Sequence, residues 1–416
     1  MLSFYIKDFG CKVNQCEGES IRKILSDNGL SECSSVNDCD ILIINGCAVT
    51  SRAEQKAKQF IGKFKKTNQN LKEILTGCLA SLYSKKKGRY QIDYDIIINQ
   101  SDKGSKLLTD LCENLKQDVS AIWAPLPVMP NHTRTFVKIQ DGCSHFCSYC
   151  IVPFMRLNEI SRPLNDILKT ISNAINKDIA EIVLVGIRIG NWSYNNLRLL
   201  DLLKSIVEKF PQIRLRLSSL EPWELSYELI DFISQSPNIA RHLHIPLQSG
   251  SNDILKKMRR EYTTSEFNEK VIYAHSKIEN LSLGTDIIVG FPGETEIDFA
   301  KTVEFYKSNP FSYAHIFRYS DRPFTKSSEM ENKIPGAVIK NRAEILAELD
   351  KQRREEFISS YIGKPVDVLF ERKSMGYWKG YSSNYIQCFL KSEDKLKGKI
   401  ISLTAYGTFE KGLRCR

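Results

Sequence analysis

The sequence predicts an α/β protein in three parts: an N-terminal parallel α/β domain, a central partial (βα)6 barrel and a small C-terminal β-barrel. Three observations carry this. Short apolar runs alternate with amphipathic helical stretches up to about residue 115. Six further apolar strands recur up to about residue 320, with helical patterns between most of them. The helical period then gives way, over residues 356–416, to short strand-like runs separated by glycine. A chain of 416 residues also exceeds the ~100 to 200 residues of one ordinary domain.

Taken in order, FYIKDFG, ILIIN, EILTG and DIIIN read as strands, with helices before and after ILIIN, the second over SRAEQKAKQFIGKFKK. They define a first domain over residues 1–120. Pro125, Pro127, Pro130 and then Asn131 read as a linker, because proline removes donors and fixes the backbone. A second domain over 132–355 holds TFVKIQ, EIVLVG, RLRLSSL, HLHIPL, DIIVG and AHIFRYS, and in a parallel barrel the chemistry collects at the C-terminal ends of such strands. KNRAEILAELDKQRREEF reads as a long charged helix leaving it. The third domain, 356–416, holds 11 Lys+Arg against 6 Asp+Glu, and ten aromatics that include Tyr377, Trp378, Tyr381 and Tyr385. Bases stack on aromatic faces while Lys and Arg meet phosphates, so this composition suits a platform for single-stranded RNA; the alternative is that half of these rings fill the barrel core.

Hydrophobic residues at 42% and charged residues at 26% exclude a disordered or fibrous chain. A net charge of +10 points to a polyanionic partner without identifying it. No run of 18 apolar residues occurs, and the start MLSFYIKDFGCKVNQ lacks the pattern of a signal peptide, so the expected location is cytoplasmic, without a membrane partner. Twelve cysteines in a reducing compartment make metal or cluster ligation the leading use.

DGCSHFCSYC places Cys143, Cys147 and Cys150 in a C-x3-C-x2-C array directly after the strand TFVKIQ. Three thiolates are one short of closing an iron-sulfur cluster, which leaves one iron open to bind a small molecule. The alternative is a zinc site completed by His145 or a distant cysteine. Cys11, Cys47 and Cys78 share a rule: each follows a glycine just past a predicted strand. Ends of parallel strands lie side by side, so these three thiols predict a second three-thiolate site; the alternative is that they are small buried residues. Cys16, Cys33, Cys39, Cys112, Cys388 and Cys415 lack this context and read as structural or surface thiols.

The runs GCKVNQ, NGCAVTSRAEQKAKQ, TGC, CSHFCSYCIVPF, RLRLSSLEPWEL, RHLHIPLQSGSNDILKKMRR, DIIVGFPGETEIDF and FRYSDRP resemble the radical-SAM methylthiotransferase family over nearly the whole chain. GCKVNQ and SSLEPWEL look most like its branch acting on N6-threonylcarbamoyladenosine in tRNA; sister branches act on isopentenyl-adenosine in tRNA or on a ribosomal protein. The resemblance implies two [4Fe-4S] clusters and S-adenosyl-L-methionine (SAM), the tRNA anticodon loop as partner, and an electron donor such as flavodoxin or ferredoxin. It implies a radical-SAM barrel and an RNA-binding TRAM-like tail. Carried over, Cys143, Cys147 and Cys150 would hold the SAM-binding cluster, Cys11, Cys47 and Cys78 an auxiliary cluster, and Tyr149 would pack near the SAM adenine. The product would be a methylthio group on C2, a position whose C–H bond acid-base side chains do not readily replace, so no catalytic side chain is assigned. Gly46, Leu157, Arg188 and Phe324 depart from the family pattern. His244 reads as a core histidine or a pocket residue, and Gly290, Gly293 and Glu294 resemble a motif near SAM. A reading of another class is a zinc-stabilised RNA-binding protein.

Overall fold

A computed structural model describes residues 2–64, 71–85, 94–99 and 133–416. The proline-rich linker and Cys112 lie outside the described residues. No helix among them is long and apolar enough to cross a membrane.

The N-terminal runs form a parallel five-stranded sheet: β1 (Ser3–Asp8), β2 (Ser31–Glu32), β3 (Ile41–Gly46), β4 (Lys72–Gly77) and β5 (Ile96–Ile97), in the order β2-β1-β3-β4-β5. Every residue of β3 is buried, as a strand covered on both faces requires. Its side chains alternate between two cores. Ile41 and Ile43 join Phe4, Ile6 and Ile74 under Ile21 and Leu25 of α1 (Lys12–Asp27). Leu42 and Ile44 join Leu75 under Ala57 and Ile61 of α2 (Ser51–Phe64) and Leu79 and Leu82 of α3 (Cys78–Lys85).

The described residues divide into two compact units. The first joins this sheet to Asp141–Arg162 and Ser320–Ser328. Within it a single helical turn, α4 (Val152–Met155), sends Met155 and the preceding Ile151 into the apolar cluster of Leu79 and Leu82. The Ser327 N–H donates to the Ser148 carbonyl at 2.8 Å, holding the middle of the cysteine array.

The second unit begins with β6 (Arg134–Lys138), β7 (Glu181–Val185) and β8 (Arg214–Leu217), a parallel trio in the order β8-β7-β6. A second parallel trio follows: β9 (His242–His244), β10 (Ser282–Val289) and β11 (Tyr313–Arg318). A parallel bridge from Leu215 to Ile239 joins the two, so six strands follow one another in sequence order. This is the partial (βα)6 barrel that the periodicity predicts. Helices such as α5 (Leu164–Ile175), α6 (Leu199–Lys209), α7 (Tyr227–Gln235), α8 (Thr264–Lys277) and α9 (Glu296–Ser308) fill the connections. Local code starts α8 and α9: Thr263 with Glu266, and Thr295 with Asp298, form reciprocal capping boxes. The charged helix α10 (Gly336–Ser359) runs past residue 355.

The tail closes into a barrel of β12 (Pro365–Ser374), β13 (Tyr377–Ser382), β14 (Gln387–Leu390), β15 (Ile400–Phe409) and β16 (Gly412–Cys415), in the order β12-β13-β14-β16-β15. Val368, Phe370, Trp378, Cys388, Ala405 and Leu413 fill it. A buried ionic clamp fastens this barrel to the parallel strands of its own unit. Glu181 is fully buried and receives Arg214 at 2.5 Å and Arg216 at 3.0 Å. The same two guanidiniums donate onward to the carbonyls of Asp367 at 3.0 Å, Tyr381 at 3.1 Å, Ser382 at 3.2 Å and Ser383 at 2.9 Å. Burial alone would raise the Glu181 carboxyl, but Arg216, Arg214 and Arg134 outweigh it and hold the group well below the usual carboxylate range. The aromatic tail differs here from a free stacking platform. Tyr381 and Tyr385 stack on each other at 5.2 Å, with Arg134 over the first at 5.2 Å and Arg216 over the second at 4.8 Å. Trp378 is core. Tyr377 packs on Phe409 at 5.1 Å, and Tyr406 is exposed.

Candidate metal centres

Three adjacent strand ends of the N-terminal sheet each deliver a cysteine. The register pairs Asp8 with Asn45 and Gly46 with Gly77, so Cys11, Cys47 and Cys78 leave the sheet side by side. Gly10 has φ +107°, and a Cβ there would stand 2.5 Å from the Cys47 Cβ and 2.8 Å from its Sγ. Only glycine lets the first turn lie against the second cysteine. Cys11 caps α1 and Cys78 opens α3.

Burial pushes the Cys47 thiol up to about 12, and the neighbouring Cys78 and Cys11 add to the rise. The Cys11 side chain is solvent-accessible, yet the protein packed around it is the chief cause that raises its thiol, with Cys78 a further one.

Beneath this set lies a buried guanidinium. Arg156 Nε donates to the Cys78 Sγ at 3.1 Å. Its Nη1 donates to Glu17 and to Asp141, both at 2.7 Å, and its Nη2 to Glu17 at 2.8 Å and Asn14 at 3.1 Å. Burial opposes the charge, but Cys78, Glu17 and Asp141 outweigh it and raise the Arg156 pKa well above its ordinary value. Asn14 in turn donates to the carbonyls of Phe9 at 3.0 Å and Gly46 at 3.2 Å, the backbone leading into the first two cysteines.

The second set occupies one loop of the same unit. Gly142 has φ +81°, and a Cβ there would fall 1.9 Å from the Asn158 carbonyl oxygen. The Cys143 N–H donates to the Arg156 carbonyl and the Cys150 N–H to the Cys147 carbonyl, each at 2.9 Å. Glu159 clamps the loop by accepting from the Ser144 N–H at 2.7 Å and hydroxyl at 2.9 Å. Cys143, Cys147, Cys150 and Tyr149 are all half-buried. Among the described residues neither thiol set, with or without His145, closes to within 4.8 Å as ligands of a single ion do. Three soft thiolates suit an iron-sulfur cluster that leaves one iron open.

The remaining sequence candidates fall outside these sets. His244 spends one ring nitrogen on Asp286 at 2.9 Å and the other on the Tyr313 hydroxyl at 3.2 Å, so it is a satisfied strand residue whose neighbour across the strands is His315. Glu294 is buried, accepting from the Gly290 N–H at 2.7 Å and Arg342 at 2.6 Å. Arg188 pairs with Glu224 at 2.8 Å. Leu157 is 54% exposed, pointing away from the packing that holds Arg156. Phe324 keeps the left-handed backbone of the glycine common there, at φ +69°, and packs on Phe154 at 5.9 Å. Gly46 leaves room for Leu79, which would stand 2.7 Å from any Cβ. Arg156, Glu17, Asn14 and Asp141 were not predicted; the acid beside Gly142–Cys143 and the arginine six residues after Cys150 are visible in the sequence, but their pairing is not.

Comparison with known proteins gives two family matches, the Radical SAM superfamily over residues 137–306 and the Uncharacterized protein family UPF0004 over residues 3–99. The Threonylcarbamoyladenosine tRNA methylthiotransferase MtaB of Thermotoga maritima is 35% identical over 94% of this chain and 91% of its own. The tRNA-2-methylthio-N(6)-dimethylallyladenosine synthase of Endomicrobium trichonymphae is 31% identical over 97% of this chain and 96% of its own. Among solved structures, the radical S-adenosylmethionine methyltransferase TsrM of Kitasatospora setae matches in fold, with a TM-score of 0.57 at 12% identity over 78% of this chain and 74% of that one.

Proposed function

Because the chain belongs to the radical-SAM methylthiotransferase family, we propose that it adds a methylthio group to C2 of N6-threonylcarbamoyladenosine beside the anticodon of tRNA. The observation that carries this is a relative of that name at 35% identity over 94% of the chain, and two groups of three cysteines in one compact unit support it. Family membership implies SAM and one [4Fe-4S] cluster. In this reading Cys143, Cys147 and Cys150 hold that cluster with Tyr149 beside the adenine, and Cys11, Cys47 and Cys78 hold a second. When bound, the SAM-binding cluster supplies the radical chemistry that an unactivated C–H bond requires.

The chain's own residues bind and hold. Glu159 and the Arg156 carbonyl fix the Cys143 loop, and Cys47 and Cys78 are buried while Cys11 faces solvent at the open side of its set. The division of labour is auxiliary cluster in 1–120, radical chemistry in 132–355 and RNA contact in 356–416. On the tail, Tyr406, 47% exposed, is better placed for a base than the half-buried Tyr377, Tyr381 or Tyr385. Location in the cytoplasm and a small electron donor such as flavodoxin or ferredoxin belong to the same reading.

Mass spectrometry of nucleosides from digested tRNA, with and without the gene, tests it. Deletion is expected to remove 2-methylthio-N6-threonylcarbamoyladenosine. Loss of the isopentenyl counterpart instead assigns the sister branch, to which relatives at 31–32% identity belong. An unchanged profile sinks the tRNA assignment. Cys47→Ala is expected to retain some SAM cleavage while yielding no methylthio product; full product from that variant refutes the ligand assignment.

A further inference from the structure

One arginine touches both thiol sets, Cys78 through its guanidinium and Cys143 through its backbone carbonyl. We propose that Arg156 is a positioning residue that sets the electronic character of the auxiliary site, raising the reduction potential of the cluster on Cys11, Cys47 and Cys78 through its Nε–H to Cys78 Sγ hydrogen bond. The proposal deepens the reading above and rests on those three cysteines ligating a cluster.

The geometry explains why this charge acts on the sulfur and does not swing away. A guanidinium has five N–H donors in a rigid fork. Here they are directed at Cys78, at both oxygens of Glu17, at Asp141 and at Asn14. The Arg156 side chain is 1% exposed, so the interaction is little screened by water. Its own carbonyl is engaged by the Cys143 N–H at 2.9 Å, which ties the backbone under this side chain to the other array. Through Asn14 the network also reaches the carbonyls of Phe9 and Gly46, so it touches the approach to all three auxiliary cysteines.

A cationic donor on a ligating sulfur draws electron density from it and favours the form with one more electron. Glu17 and Asp141 oppose that charge while orienting it. The step concerned is a one-electron reduction of the loaded cluster by an added reductant such as dithionite, with no bond made or broken. Removing the guanidinium charge therefore lowers the potential, and neutralising Glu17 raises it.

The test uses the full-length reconstituted protein in a Cys143→Ala background, so that the auxiliary site alone is read. The measurements are iron and sulfide per chain and a redox titration followed by electron paramagnetic resonance. Arg156→Gln is expected to lower the reduction equilibrium constant about tenfold, about 59 mV for one electron. Arg156→Lys, which keeps a charge but loses the Nε bond, is expected to give a smaller shift in the same direction, and Glu17→Gln a shift in the opposite one. A merely structural Arg156 would alter cluster loading and leave the potential of whatever loads unmoved. Wild-type potentials in all three loaded variants overturn the proposal. If Arg156→Gln does not load, Glu17→Gln, which keeps the guanidinium, decides: an upward shift supports the proposal and no shift overturns it. If the Cys143→Ala parent binds iron and adding Cys47→Ala leaves that iron in place, the ligand assignment has failed and the proposal falls with it.

Discussion

Gly142 shows what a single atom does at the mouth of the Cys143 loop. A methyl group there meets the Asn158 carbonyl at 1.9 Å and also places an L-residue at φ +81°. Gly142→Ala is expected to disrupt the loop that presents Cys143, so that iron per chain falls by roughly half while the auxiliary set still loads. Iron and sulfide analysis checks this, and full loading would mean that the loop tolerates the displacement. Some of this residue-scale detail is legible in the sequence. The recurrence of Gly-Cys after a strand marks Cys11, Cys47 and Cys78, because strand ends and sharp turns are local properties. Arg156 is not legible, since its partners Cys78, Glu17 and Asn14 stand 78, 139 and 142 positions away. Nothing in its immediate neighbourhood says which carboxylates will surround it.

Whole elements are easier to read than their partners. ILIIN reads as a strand because four apolar positions run together before Asn45, and it is buried throughout. The alternation RLRL at β8 reads equally well as a strand, yet it does not reveal that Arg214 and Arg216 converge on Glu181 of β7. Glu181→Gln leaves these guanidiniums without their counter-charge, and breaking such a buried set costs ~3–5 kcal/mol. A drop in thermal stability of that size, with unchanged iron loading in the other unit, is the expected outcome in a calorimetric or circular-dichroism melt. The sign of the pH dependence follows from the depressed Glu181 carboxyl. Its contribution is present above the ordinary carboxylate range and is lost only as pH falls through the lower folded-state value, so wild type should keep an advantage over Glu181→Gln at mildly acidic pH. The tail aromatics were ambiguous for a related reason: composition counts Tyr381 and Tyr385 without showing that arginines already cover them.

At the scale of the molecule, two four-iron clusters require iron and sulfide near eight each per chain, and a value near four would leave only one set loaded. Metal analysis of the reconstituted wild type decides between them, and zinc in place of iron would favour a structural role for the cysteines. The order of six parallel strands and the closure of a small barrel after a long helix were both legible, because each rests on repeated local patterns. The compact units were not, since Asp141–Arg162 packs with the N-terminal sheet despite lying far from it in sequence. The Glu181 clamp has a further consequence for how this chain can change over time. Arg214 and Arg216 grip the tail through the carbonyls of Asp367, Tyr381, Ser382 and Ser383, groups that every amino acid carries. That part of the joint therefore follows the path of the chain, so Asp367, Ser382 and Ser383 can change without loosening it, whereas Tyr381 and Tyr385 are held there by their rings under Arg134 and Arg216.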